Sequence, residues 1–363
     1  MKDQKLRIFF ITSGGTASRG GMGRMALYLT REFQRGHPAL WVRVLDSYGP
    51  GRTALMPLYF LKCLIVLGIQ CLVRPPDVVH LNLAAHGSTL RKLLLMRLAQ
   101  AFRVPSLLHI HASKFIPFCE SLGPRMRKLL VSSLSQASHI VVIGDYWRRY
   151  LVETLGVPAN IVTVIHNAAP LPEVPAPRSG NARCRIVALG MLGPRKGTPE
   201  LLDALAAPAM RELDWEAVIA GNGTVETSRE RAVELGLADR VEIPGWVDSA
   251  TVSGLLATAD IFVLPSHNEG LPVAILEAMG AGVPVVTTPV GAIPELVIAD
   301  ETGLLVPTGS AAALSEALAG LVKAPELRIR LGNNARKRVE QHFRIETAAE
   351  RFVAIYRALA SAR

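Results

Sequence analysis

The sequence predicts an α/β protein made of two doubly wound, parallel-sheet domains. Three observations carry this reading. Short apolar runs of strand character alternate with segments of helical periodicity along the chain. Such runs fit strands buried in a parallel sheet with right-handed helical crossovers. The alternation breaks at AAPLPEVPAPRSGNA (168–182), with four prolines and almost no bulky apolar residue, and then restarts. A length of 363 residues also suggests two domains.

In the first half the expected strands are LRIFFIT (6–12), LWVRVLD (40–46), DVVHLNL (77–83), PSLLHIH (105–111), HIVVIG (139–144) and IVTVIHN (161–167). Segments such as GRMALYLTREFQRGH supply the helices between them. After the break come CRIVALG (184–190), WEAVIAG (215–221), RVEIPG (240–245), IFVLPS (261–266), VPVVTT (283–288) and GLLVP (303–307). Two helical stretches close the chain. The expected organisation is a first domain over 1–168, a Pro-rich hinge over 169–182, a second domain over 183–343 and a final helix over 344–363. A cleft between two such domains is the expected ligand site, beyond the carboxyl ends of the strands.

Composition narrows the function classes. The four cysteines (Cys63, Cys71, Cys119, Cys184) form no Cys-x-x-Cys pair and no cluster with metal spacing, which points to a reducing compartment and no zinc. The apolar run near the N-terminus is too short for a signal peptide and reads as a first strand, so the expected location is the cytoplasm. The net charge of +10 is unevenly spread. Residues 1–170 hold 21 Lys/Arg against 7 Asp/Glu, and the remainder 19 against 23. A basic first half suggests an anionic partner. No finger, RNP-like element or basic-plus-aromatic pattern points to nucleic acid.

An anionic membrane surface fits better. Residues 54–73, ALMPLYFLKCLIVLGIQCLV, are apolar except for Lys62 and Gln70. The length would allow a membrane span. Lys62 in mid-span, Pro57 near the start and a strand just after favour a buried or membrane-grazing helix instead. RKLLLMRLAQAFR (91–103) adds Arg91, Lys92, Arg97 and Arg103 beside a leucine-rich face, and PRMRKLL (124–130) adds three more cations. Both are expected to rest on headgroups.

Several turns carry ligand chemistry. Gly21-x-Gly23-x-x-Ala26, with Asp46 closing the next strand, approximates a dinucleotide fingerprint. The loop before it is about ten residues, too long for that turn, but a glycine-rich helix start still suits a phosphate or a sugar. In ALGMLGPRKGTPELL, Arg195 and Lys196 follow a strand and precede a helix, a fitting diphosphate clamp. It is not a Walker A loop, because Gly197 follows the lysine. IAGNGT offers Gly221, and IPGWVD offers Trp246 and the amides around Val247 to a flat ring. In HNEGLPVAILEAMG, Glu269 lies in a loop and Glu277 in the helix that Pro272 begins. The amides of Gly270 and Leu271 at the helix start can meet a sugar hydroxyl, and a carboxylate in so apolar a helix needs a partner.

With these residues in view, the chain resembles the family 4 retaining glycosyltransferases of GT-B fold. The likeness rests on Glu269-x7-Glu277, the Val-Pro-Val-Val strand and the Gly291-Ala292-Ile293-Pro294-Glu295 turn. It extends to Gly20-Gly21, His80-Leu81-Asn82, His109-Ile110-His111, Arg195-Lys196-Gly197 and Gly221-x-Gly223. The resemblance implies two Rossmann-like domains facing a cleft and a C-terminal helix crossing back to the first domain. It implies that Glu277 holds the ribose of a UDP- or GDP-linked sugar and that Glu269, with Gly270 and Leu271, binds the transferred sugar. Arg195 and Lys196 take the diphosphate, and His111 stands at the reacting centre on the acceptor side. His111, Glu269 and Lys196 are thus the expected catalytic residues. Two positions depart from the pattern: Met191 stands where the family carries a cation, and Asn167-Ala168-Ala169-Pro170 replaces Asn-Gly-hydrophobic-Asp.

The expected function is transfer of a sugar from a nucleotide sugar to a glycan or lipid-linked acceptor, without a metal or a cofactor. No Asp-x-Asp element is present to hold a metal on the diphosphate. The other classes compatible with the sequence are a nucleotide-sugar epimerase and an NAD-dependent oxidoreductase using Gly21 and Asp46.

Overall fold

The computed structural model describes residues 5–17, 20–49, 53–111, 113–173 and 183–362. Its contacts divide the chain into two units, Met1–Ala168 with Ile345–Arg363, and Ala169–Arg344. Most of the proline-rich segment, 174–182, lies outside the described residues.

The first unit runs β1 (Leu6–Thr12), α1 (Gly21–Gly36), β2 (Leu40–Asp46), α2 (Met56–Val73), β3 (Val78–Leu83), α3 (Gly87–Ala101), β4 (Ser106–Ile110), α4 (Phe115–Ser121), α5 (Pro124–Leu134), β5 (His139–Val142), α6 (Asp145–Arg149) and β6 (Val162–Val164). The second runs β7 (Cys184–Leu189), α7 (Thr198–Ala206), α8 (Pro208–Arg211), β8 (Trp215–Ala220), α9 (Val225–Glu234), β9 (Val241–Gly245), α10 (Ser249–Thr258), β10 (Ile261–Leu264), α11 (Val273–Gly280), β11 (Val285–Thr287), α12 (Ile293–Leu296), β12 (Gly303–Leu305), α13 (Ala311–Lys323) and α14 (Pro325–His342). Helix α15 (Ile345–Ser361) then joins the first unit.

Each unit is one six-stranded sheet, ordered β2-β1-β3-β4-β5-β6 and β12-β11-β10-β7-β8-β9. The paired strands run parallel throughout, for example Leu6↔Leu40 to Thr12↔Asp46 and Cys184↔Trp215 to Leu189↔Ala220. Every expected strand is present, several of them shorter; the expected 161–167 strand keeps only Val162–Val164.

In the first unit Ile8 and Phe10 of β1 pack with α1 (Met25, Leu29, Phe33) and α15 (Phe352, Tyr356). Phe9 and Ile11, equally buried, point to the opposite face because side chains alternate along a strand. In the second unit the core centres on Trp215, Ile219, Leu201, Leu205 and Leu318. The Trp215 indole N–H donates to the Met210 carbonyl at 2.8 Å, so the largest core side chain leaves no polar atom unmet.

Two sequence expectations change here. One oxygen of the Asp46 carboxylate is taken up by its own loops. Its Oδ1 accepts the backbone N–H groups of Gly14, Tyr48 and Gly49 at 2.8–2.9 Å, fixing the loops after β1 and β2. Arg91 and Lys92, expected at the surface, are buried. They fall on the inner side of α3, while Leu90 and Leu94 face outward. Lys92 Nζ donates to Ser13 Oγ at 3.1 Å and Ser47 Oγ at 2.6 Å.

Burial, reinforced by neighbouring Arg91, pushes the Lys92 ammonium down to about 7, and Cys63 and Asp46 only partly oppose this. The unfolded chain therefore holds a proton between pH 7 and the ordinary lysine range that the folded chain has released. Stability contributed through this group rises with pH across that window and is lost as pH falls through 7. Lys92→Met should flatten the pH dependence. In thermal unfolding, wild type minus variant should grow more positive from pH 7 to pH 10. Parallel curves would show that Lys92 titrates normally. The orphaned Ser13 and Ser47 hydroxyls add an offset that does not depend on pH, so the slope is the readout.

Candidate functional site

The second unit brings Arg195, Lys196, Glu269 and Gly270 together at the carboxyl ends of two adjacent strands. β7 pairs with β10, so the loops that follow them, 190–197 and 265–272, lie side by side. Three contacts clasp these loops. His267 N–H donates to the Arg195 carbonyl at 2.9 Å. The Arg195 guanidinium donates to the Asn268 carbonyl at 3.0 Å. Gly197, in the left-handed region at φ +70°, lies so close under Pro265 that an added Cβ would be 2.0 Å from its carbonyl oxygen.

Glu269 is the centre of this arrangement. It is only 9% exposed, and its Oε1 accepts from Lys196 Nζ and from Ser266 Oγ at 2.9 Å, with Arg195 Nη1 at 3.7 Å. All three contacts fall on Oε1, so Oε2 is the oxygen left to accept from a ligand. The solvent-exposed Glu269 that an ordinary loop would give is therefore not found. Two cations and a hydroxyl offset the desolvation of the carboxylate. Lys196 is drawn from a free phosphate clamp into an ion pair, leaving other ammonium protons for a ligand.

Glycines shape the floor. Gly221 N–H donates to the Gly245 carbonyl at 2.8 Å, and Gly190 N–H to the Ala220 carbonyl at 3.0 Å. A pocket opens here, lined by Gly190, Leu192, Lys196, Ile219, Ala220 and Pro265 among others. On the other side Gly291, at φ +61°, supports the 269–270 backbone. Its Cβ would sit 2.2 Å from the Glu269 carbonyl oxygen, and Ala292 N–H donates to the Gly270 carbonyl at 3.0 Å. Only glycine permits that approach.

The remaining expected residues divide between the two units. Leu271 is buried and Pro272 is the residue before α11, one position earlier than expected. Glu277 lies one turn into α11, half-buried. Two residues past the helix end Gly282 takes φ +75°, and Arg336 Nη1 donates to the Gly280 carbonyl at the helix's carboxyl end at 2.8 Å. Trp246 follows β9 and is half exposed, with Val247 beside it.

Gly21 and His111 belong to the first unit, at the start of α1 and directly after β4. His111 stacks on His109 with ring centroids 3.8 Å apart, and its backbone N–H donates to the Leu83 carbonyl at 3.1 Å. Burial pushes its imidazole down to about 3, opposed by a hydrogen bond with Asn167. His111 is thus neutral at physiological pH. Burial also pushes His80 down to about 3 and His109 well below its ordinary value.

His80 Nε2 lies 3.0 Å from Asn82 Oδ1 and 3.2 Å from His109 Nδ1, and its Nδ1 lies 2.5 Å from the Tyr356 hydroxyl. With Asn82 Oδ1 accepting, His80 carries its proton on Nε2 and Tyr356 donates to Nδ1. Helix α15 therefore sets the tautomer of the layer behind His111. Tyr356 was not found from the sequence, nor were Ser266 and Gly291 as supports of Glu269. Only Gly291 carried a signal, as part of the Gly-x-x-Pro-Glu turn.

Comparison with known proteins places this geometry in a family. Residues 178–338 match the model for group 1 glycosyl transferases, and residues 8–168 match that for a glycosyl transferase 4-like domain. A phosphatidyl-myo-inositol mannosyltransferase of Mycobacterium leprae is 34% identical over 52% of this chain and 51% of its own length. A lipopolysaccharide core biosynthesis mannosyltransferase of Rhizobium meliloti is 33% identical over 47% of this chain and 50% of its own. The chain thus spans about half the length of the curated relatives it matches. Among solved structures, a sucrose-phosphate synthase from Thermosynechococcus elongatus superposes with TM-score 0.81 at 20% identity, covering 99% of this chain and 100% of that one. The Anabaena protein HepE, solved with UDP-glucose, gives 0.74 at 18% identity, over 97% and 99%. Matched in both halves by glycosyltransferase models, and sharing the two-sheet architecture of these structures, the chain belongs to the family 4 type of glycosyltransferases with the GT-B fold.

Proposed function

We propose that the protein transfers a sugar, with retention at the anomeric carbon and without a metal, from a UDP- or GDP-linked donor to a glycan or lipid-linked acceptor. The product belongs to cell-surface polysaccharide or glycolipid, and the enzyme works in the cytoplasm against the inner face of the membrane. The observation that carries this reading is Glu269, buried and held by Lys196 and Arg195 where glycine-lined turns let a ligand reach the backbone. The names of the mannosyltransferase relatives support a hexose and an envelope acceptor.

In this reading the diphosphate lies against Arg195 and Lys196, which stabilise the charge that develops as the nucleotide leaves. Glu269 Oε2 accepts from a sugar hydroxyl, and Glu277 holds the ribose. The acceptor hydroxyl attacks from the face the diphosphate leaves, passing its proton to the departing phosphate. His111, neutral, is the proposed acceptor-side residue of the first unit. One oxygen of Asp46 already accepts three backbone amides, which counts against a dinucleotide enzyme.

A thermal-shift screen over UDP-, GDP-, ADP- and dTDP-sugars, with nucleotide release measured in parallel, tests the proposal. One donor should stabilise the wild type. Glu277→Ala should weaken that donor about 10–100-fold, the loss of a hydrogen bond to a charged group. If no nucleotide sugar shifts the melting temperature, the proposal fails.

A further inference from the structure

The first unit distributes apolar surface and charge unequally between its two faces. The step from β1 to β2 runs one way across the sheet, and the steps from β2 through β3 and β4 to β5 run the other way. With right-handed crossovers, α1 lies on one face and α2, α3 and α5 on the opposite one. Helix α15 packs with α1.

The helices α2, α3 and α5, of 18, 15 and 11 residues, contain no Asp or Glu between them. Glu32, Glu346 and Glu350 lie on α1 and α15, and Glu120 lies on the short α4. On α2, Leu58, Leu61, Ile65, Ile69 and Leu72 are each more than half exposed. Their spacing of three and four puts them on one stripe, about 20 Å long at ~1.5 Å per residue. Leu90 and Leu94 of α3 and Met126 and Leu129 of α5 extend the apolar surface. Lys62, Arg97, Arg125 and Lys128 are the exposed cations on the same helices.

We propose that this three-helix face docks flat on a bilayer containing anionic lipid, with the α2 stripe sunk among the acyl chains and the four cations on headgroups. This names the face used by the membrane-proximal enzyme proposed above, and rests on that reading. Two alternatives fit less well. A second copy would set Lys62, Arg97, Arg125 and Lys128 against the same cations, and α2, α3 and α5 carry no carboxylate to answer them. Spanning would tear α2 from its sheet. Cys63, Leu67 and Cys71 are buried on its inner side, and Gln70 Oε1 accepts from buried Arg7 at 3.1 Å. Arg91 and Lys92, which the sequence put on headgroups, face inward and take no part.

Co-sedimentation of the whole chain with phosphatidylglycerol–phosphatidylcholine vesicles at low salt is the test, with pure phosphatidylcholine as control. Wild type should bind the anionic vesicles and be released by salt. Ile65→Asp, at an exposed position that folding does not need, should weaken binding more than about ten-fold. Lys62→Gln and Lys128→Gln should each weaken it about five-fold. Nucleotide-sugar stabilisation, read without vesicles, should be unchanged in all three. Vesicle binding in a chain that no nucleotide sugar stabilises would sink the transferase reading and leave the docking face standing. Nucleotide binding without any vesicle binding would overturn the docking face alone. So would a dimer that Ile65→Asp dissociates while vesicles leave the wild type in solution.

Discussion

Lys196→Ala should lower kcat/KM for the cognate donor by about 10²–10³-fold, the cost of removing one preorganised donor from developing charge. The same change should destabilise the second unit, because Glu269, 9% exposed, loses its nearest cation. Breaking a buried pair from one side costs about 3–5 kcal/mol. Arg195 at 3.7 Å and Ser266 at 2.9 Å remain, so about 2–3 kcal/mol is the expected loss here. The two effects separate in a double variant. Lys196→Ala with Glu269→Gln removes the uncompensated charge and should recover most of the stability while activity stays low. If activity returned along with stability, Lys196 would be a structural cation and the diphosphate contact would be wrong. Chemical denaturation and initial rates on the four proteins of this cycle decide it.

The strands and the halving of the chain were legible because a parallel sheet buries whole strands, and whole-strand apolarity is a local signal. Glu269 and Lys196 were legible as residues, but their pairing was not. They are 73 positions apart, and only the adjacency of β7 and β10, a property of strand order, brings them together. The same limit explains Tyr356, whose hydroxyl reaches His80 across 276 positions. The failure at Arg91 and Lys92 has a different origin. Their spacing within α3 was read without knowing which side of the helix faces the sheet, and the lysine stem is long enough to reach Ser13 and Ser47 from the inner side. A cation next to leucines is ambiguous until the helix is oriented.

Glycine substitutions at three positions should separate the reasons glycine occurs in the second unit, and the largest effect is expected at Gly221. Its φ is +156°, and a Cβ there would stand 1.6 Å from the Gly190 carbonyl oxygen and 2.6 Å from its carbon. Neither atom can yield without moving the β7–α7 loop, because Gly190 N–H is held by the Ala220 carbonyl and Leu192 N–H by that of Asn222. That loop carries Lys196, so Gly221→Ala should cost more than about 4 kcal/mol and weaken donor binding as well. Gly236 has φ +70°, but a Cβ there would meet nothing within 4 Å, so Gly236→Ala should cost only the left-handed penalty of about 1–2 kcal/mol. Gly254 is inside α10 with open space and ordinary backbone, and Gly254→Ala should stabilise by about 0.5–1 kcal/mol. Denaturant midpoints for the three variants should therefore fall in that order. Should Gly221→Ala cost no more than Gly236→Ala, contact between the β7 and β8 turns is not what excludes a side chain, and the rigidity assigned to the pocket floor would have to come from elsewhere.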